Sequence, residues 1–168
     1  MSNDGRYYLE RALQYWQAGK PREAGRLLFE NMPEENRPRW ATRILELVVN
    51  KTGVKSAPVE RILYIGKHPT EWHMAHEAFC SARRLGLKLR EAKVRSTETI
   101  FLCYHLGLAE VVAKVIYNGT NPRDEFDRDA GWWIPECLKQ ILDSVNDEEF
   151  SKSMWSALCF DTEGNEQG

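Results

Sequence analysis

An all-α fold of seven or eight helices is what this sequence predicts, and three observations predict it. Apolar residues recur three and four positions apart along most of the chain. Proline or glycine falls at most of the breaks between these runs, where it starts or stops a helix. No segment alternates apolar and polar residues strongly enough to compete as a strand. With 168 residues, 42% of them hydrophobic, the chain can bury one sizeable core. A single helical domain over residues 1–160 is expected, with residues 161–168 as a frayed tail.

From Arg6 onward, Tyr8, Leu9, Leu13 and Trp16 keep helical spacing until Gly19-Lys20-Pro21 stops the helix. Pro21 suits the first turn of a second helix, where its missing N–H is no loss. Ala24, Leu27, Leu28 and Met32 give that helix its apolar side. The spacing of Tyr8, Ala12, Tyr15, Gly19, Ala24 and Leu28 resembles the signature positions of a tetratricopeptide repeat (TPR). The resemblance covers about residues 5–38. It departs from the family at Arg11, where Leu is usual, and at Asn31, where Ala is usual. No second copy follows at a 34-residue period, and a solenoid needs at least about three stacked units. The resemblance therefore implies one TPR-like αα-hairpin and no peptide-binding superhelix.

Asn36-Arg37-Pro38 opens a third helix, whose apolar face is Trp40, Ile44, Leu47 and Val48 and whose end lies between Asn50 and Gly53. Pro58 opens a short helix carrying Val59, Ile62 and Leu63, broken at Gly66-Lys67-His68-Pro69. Thr70 suits the N-cap of the next helix, in which Trp72, Ala75, Phe79 and Ala82 have core spacing. Gly86 is expected to end that helix in the left-handed conformation. Residues 87–95 then read as a loop or short helical turn.

The most apolar stretch follows, a buried central helix near residues 97–117 capped by Ser96 or Thr97. Its buried stripe is expected to be Ile100, Phe101, Tyr104, Leu108, Val111, Val112 and Val115. Cys103, Gly107, Glu110 and Lys114 form its solvent side. After Asn118 the passage GTNPRDEFDRDAG lacks periodicity and reads as a long loop, a kind of connection that often carries function. A further helix starts at Gly131 with Trp133, Cys137, Ile141 and Leu142. The last starts at Asp147 with Phe150, Met154, Trp155 and Leu158.

No continuous run approaches the roughly 20 apolar residues that span a bilayer, and the first residues are polar. A cytoplasmic location without membrane association is expected. The four cysteines, at 80, 103, 137 and 159, form no CxxC and read as small buried hydrophobes. Net charge is −2 overall but uneven: +1 over residues 1–50, +5 over 51–100 and −8 over 101–168. Such a dipolar chain bears on partners and association rates.

Three groups of residues are candidates for function. Asp124, Glu125 and Asp127, with Trp132 and Trp133, read as an acidic rim beside an aromatic pair, suited to a protein partner carrying Arg or Lys. Asp129 is expected to cap the Gly131 helix, with Phe126 anchored inward. The rim lacks the glycine and distal glutamate of an EF-hand loop. Arg83, Arg84, Lys88, Arg90, Lys93 and Arg95 place six cations within thirteen residues, a density that suits phosphates. His73, His76 and Glu77 share one expected helix and are candidate metal ligands, although no HExxH accompanies them. His105 sits on the apolar side of the central helix as a hydrogen-bonded core residue. No nucleophile elbow, P-loop or dinucleotide fingerprint occurs. The sequence reading is thus a helical protein–protein interaction module, adaptor or regulatory, without catalytic activity or cofactor. A nucleic-acid-associated protein using residues 83–95 is the alternative, and a metal-dependent enzyme comes third.

Overall fold

Proline and glycine place the helix ends. The computed structural model describes residues 3–92, 96–118, 126–145 and 147–164; these form eight α-helices and, among the described residues, no strand. The first three are α1 (Asn3–Gln17), α2 (Pro21–Asn31) and α3 (Arg37–Thr52). Next come α4 (Ala57–Lys67), α5 (Ala75–Glu91) and α6 (Thr97–Asn118), then α7 (Phe126–Val145) and α8 (Glu148–Gly164). Pro21, Pro38 and Pro58 each sit in a first turn, as expected. The turn after α1 and the end of α3 use glycines at positive φ, +78° at Gly19 and +72° at Gly53. The Gly53 N–H closes α3 by donating to the Val49 carbonyl at 2.8 Å.

Several boundaries differ from expectation. Thr70 does not cap α5, because residues Pro69–Met74 form a 3-10 helix and α5 proper begins at Ala75. Gly86 does not end α5 either. It lies inside that helix and is buried, and the apolar spacing of Ala78, Ala82, Leu85 and Leu89 carries the helix on to Glu91. The helix expected from Gly131 starts five residues earlier, at Phe126. Phe126, Ala130 and Trp133 extend the spacing of Cys137 and Ile141 backwards, a pattern hidden by the glycine and the charges around it. Asp129 is therefore inside α7 and is not its N-cap. Residues 119–125 lie outside the described residues. The last helix continues to Gly164, past the expected start of the tail at residue 161, while residues 165–168 lie outside the described set.

Helix α6 is the centre of the bundle, packed by α3, α4, α5 and α7. On the opposite side α2 packs on α1 and α7, and α8 packs on α1 and α3. Ser96 caps α6, its Oγ accepting from the Thr99 N–H at 3.1 Å. The expected burial stripe was too narrow and partly misplaced. Leu106, Ala109, Ala113 and Ile116 are as fully buried as Leu108, Val112 and Val115, whereas Ile100 is exposed. Cys103, Gly107, Glu110 and Lys114 are half-buried and do not form an open solvent side. The Lys114 ammonium lies over the Phe79 and Tyr117 rings, 4.9 and 5.8 Å from their centroids. A helix apolar on most of its circumference gives periodicity little to distinguish. By length and composition Thr97–Tyr117 could cross a membrane, against the sequence expectation, yet here it is the core helix under four neighbours.

The one histidine of this core is His105, fully buried. Its Nδ1 lies 2.8 Å from the Phe101 carbonyl and must carry the hydrogen, which leaves Nε2 facing the Thr52 hydroxyl on α3 at 2.8 Å. Burial pushes its pKa below the ordinary histidine value, against the opposing pull of the Phe101 carbonyl. Below about pH 6.5 the unfolded chain then binds a proton that the folded chain resists. Stability contributed by neutral His105 is complete above that value and declines as the pH falls. Glu110 has the opposite sign, because burial raises its pKa despite Arg90 and Arg83. Urea denaturation at pH 7, 6 and 5 separates the two. The wild type should lose more stability across this range than His105→Gln; equal slopes would remove His105 as the cause.

Candidate functional site

Helix α5 forms one edge of the bundle, and its sequence dictates how it sits there. Ala75, Ala78, Ala82 and Gly86 recur three or four apart and are all buried, so this face has almost no side-chain bulk. The small stripe lets α5 lie close on α4 and α6 and turns its long side chains outward. Arg83, Arg84, Leu87, Lys88 and Arg90 are all exposed. At about 100° per residue they fall within a roughly 160° arc. Residues 87–91, expected to belong to a loop or short helical turn, instead continue the helix that carries Arg83 and Arg84, so these cations form a helical face with fixed spacing. Lys93 and Arg95 lie outside the described residues.

No side-chain hydrogen bond or ion pair engages Arg83, Arg84, Lys88 or Arg90 among the described residues. Glu110 on α6 attracts Arg90 and Arg83 electrostatically. Internal pairing of the basic and acidic thirds occurs elsewhere. Lys51 at the end of α3 bonds Asp147 at 2.8 Å, and Asp147 caps α8 by accepting from the Phe150 N–H at 2.9 Å. Lys51, followed by the Phe150 amide, holds the Asp147 carboxyl below the usual carboxylate range.

Two exposed apolar residues accompany the cations. Leu87 lies among them at 45% exposure, and Ile100 in the first turn of α6 is 42% exposed. Because α5 and α6 pack together and are consecutive, both residues lie towards the same end of the pair. Sequence reasoning missed them. Leu87 was hidden in a segment read as irregular, and Ile100 was assigned to the core.

The other predicted groups fare differently. His73 lies in the 3-10 helix and not on α5, so it does not share a helix with His76 and Glu77 as expected. His76 instead has its Nε2 3.8 Å from the Cys80 Sγ and its ring 5.2 Å from that of Tyr117. Among the described residues no three His, Cys, Asp or Glu side chains gather as a metal site. Asp124 and Glu125 lie outside the described residues. Asp127, Trp132 and Trp133 fall on the first turns of α7, with side chains outside the described set. No family model, curated protein or solved structure matches the chain.

Proposed function

We propose that this chain is a helical interaction module, adaptor or regulatory and not catalytic, whose α5 face docks an acidic surface of another protein. One observation supports it above the rest: four exposed cations, without ion pairs among the described residues, surround an exposed leucine on a rigid helix. The cations favour rapid association with negative charge, and Leu87 with Ile100 supplies apolar area that resists dissociation. The α1–α2 pair, TPR-like in sequence, belongs to the scaffold in this reading. The segment holding Asp124, Glu125, Asp127, Trp132 and Trp133 has the opposite charge in sequence and is a second candidate for partner binding, and the setting is cytoplasmic.

Nucleic acid is the second reading, favoured by the cation spacing alone. A phosphate backbone gains little from Leu87 or Ile100, and among the described residues no exposed aromatic side chain of α5 lies beside these cations for bases to stack upon. Two variants distinguish the readings when partners are captured from the native host with and without nuclease. For a protein partner, Arg84→Glu with Lys88→Glu should slow association by roughly tenfold at low salt, and Leu87→Ala should speed dissociation. Nucleic acid would be lost on charge reversal, indifferent to Leu87→Ala and removed by nuclease. Capture of the same partner by wild type and charge-reversed protein alike would end both readings.

A further inference from the structure

A cleft of about 380 Å³ opens between the end of α1, the C-terminal half of α7 and the first turns of α8. Its construction follows from how these helices end and begin. Pro21 has no N–H to continue α1 past Gln17, and Gly19 turns the chain at positive φ. The closing turn of α1 therefore lines the cleft through Gln17 and Gly19, with the partial negative charge of its last carbonyls. Trp16 supplies an apolar wall. Its ring packs on the fully buried Trp155 at 5.1 Å, so the core backs the indole. Ser151, also in the lining, is nearly closed to solvent, and its hydroxyl donates to the Asp147 carbonyl at 3.2 Å.

The charged groups of the lining come as one carboxylate and one ammonium from each of two helices. On α7, Lys139 Nζ donates to an Asp143 carboxylate oxygen at 3.4 Å, a long bond between exposed groups. On α8, Glu148 and Lys152 are four residues apart in the order that favours an ion pair. Among the described residues they nevertheless form no side-chain hydrogen bond or ion pair, with each other or with any other group. A carboxylate and an ammonium one helical turn apart are thus both available at a cleft with an indole in its wall.

We propose that this cleft binds a free α-amino acid in its zwitterionic form, one with an apolar or aromatic side chain. Glu148 takes the ammonium and Lys152 the carboxylate. The two charges of such a ligand flank a single α-carbon, a separation that two side chains one turn apart can bracket. The closing turn of α1 adds partial negative charge for the ammonium. The ligand's side chain lies along Trp16. A simple anion would meet Asp143 and Glu148 as well as the lysines, and a simple cation the reverse, whereas a zwitterion uses both signs at once. The volume suits one molecule of this size.

Amide chemical shifts of Gly19, Ser151 and Lys152 would be followed during titrations at neutral pH in a buffer free of zwitterions. The probes are phenylalanine, N-acetylphenylalanine without the ammonium, phenylalanine amide without the carboxylate, and glycine without the ring. Saturable shifts are expected with phenylalanine, and each of the other three should bind at least about tenfold more weakly. Glu148→Gln should weaken phenylalanine by about tenfold and abolish its advantage over the N-acetyl derivative. Lys152→Gln should do the same with respect to the amide. Both side chains are exposed, so neither change threatens the fold. Arg84→Glu with Lys88→Glu on α5 should bind phenylalanine as the wild type does, so this test is independent of the interaction face. The absence of saturation, equal binding of either derivative or of glycine, or indifference to either charge removal would overturn the assignment.

Discussion

Replacing Trp155 by alanine should lower the unfolding free energy by about 3–5 kcal/mol, more than any surface change in this chain. Trp155 on α8 is 1% exposed and is among the largest fully buried side chains. Its ring centroid lies 5.1 Å from Trp16 on α1 and 6.4 Å from Trp40 on α3. Trp40 in turn meets Phe29 of α2 at 5.8 Å. The Arg37 guanidinium covers Phe29 at 4.5 Å, and Arg37 Nε donates to the Phe29 carbonyl at 3.1 Å. One indole thus joins α8 to α1 and α3, and through Trp40 to α2, so truncation leaves a cavity that three helices cannot all collapse into. Trp155→Phe should lose much less. Its indole N–H is buried without a partner among the described residues, and phenylalanine removes that unsatisfied donor along with part of the ring. Urea unfolding followed by far-ultraviolet circular dichroism measures both variants. A loss below about 1 kcal/mol for alanine would show that the aromatic cluster does not hold these helices together.

The helix starts were legible because proline acts locally. Pro21, Pro38 and Pro58 each constrain backbone within one turn, and no tertiary contact needs to be known. Glycine was less reliable for the complementary reason. Gly19 and Gly53 end helices at positive φ, while Gly66 and Gly86 are buried inside them. Which role a glycine plays depends on the packing around it, and that depends on residues far away in sequence. The same limit applies to α6, where apolar residues on nearly every side left Ile100 indistinguishable from Leu106. At the candidate surface the cations were visible as a cluster but not as a face, because an internal Gly86 concealed the helix that spaces them. The cleft was invisible altogether. Glu148 and Lys152 are close in sequence, but Trp16 reaches them only through the packing of α1 on α8.

The crossing of α3 and α4 should fail when Gly66 becomes alanine, with an expected loss of about 1–3 kcal/mol. A methyl group there would stand 2.6 Å from Thr42 Cγ2 and 2.9 Å from Thr42 Cβ, separations that packed carbon atoms do not tolerate. Thr42 cannot swing aside freely. Its β-branched side chain is stiff, and its hydroxyl donates to the Pro38 carbonyl at 2.8 Å within a site that is nearly closed to solvent. Alanine is the better helix former by about 1 kcal/mol, so a loss measures repulsion beyond that gain. The Gly66 carbonyl also accepts from the Trp72 indole at 3.2 Å, so moving α4 outward would disturb the 3-10 helix as well. Thr42→Ala removes the atoms in the way. The double variant Gly66→Ala with Thr42→Ala should therefore be more stable than Gly66→Ala alone, with a coupling of about 0.5–3 kcal/mol. Strict additivity of the two changes would place the cost of Gly66→Ala somewhere other than this contact.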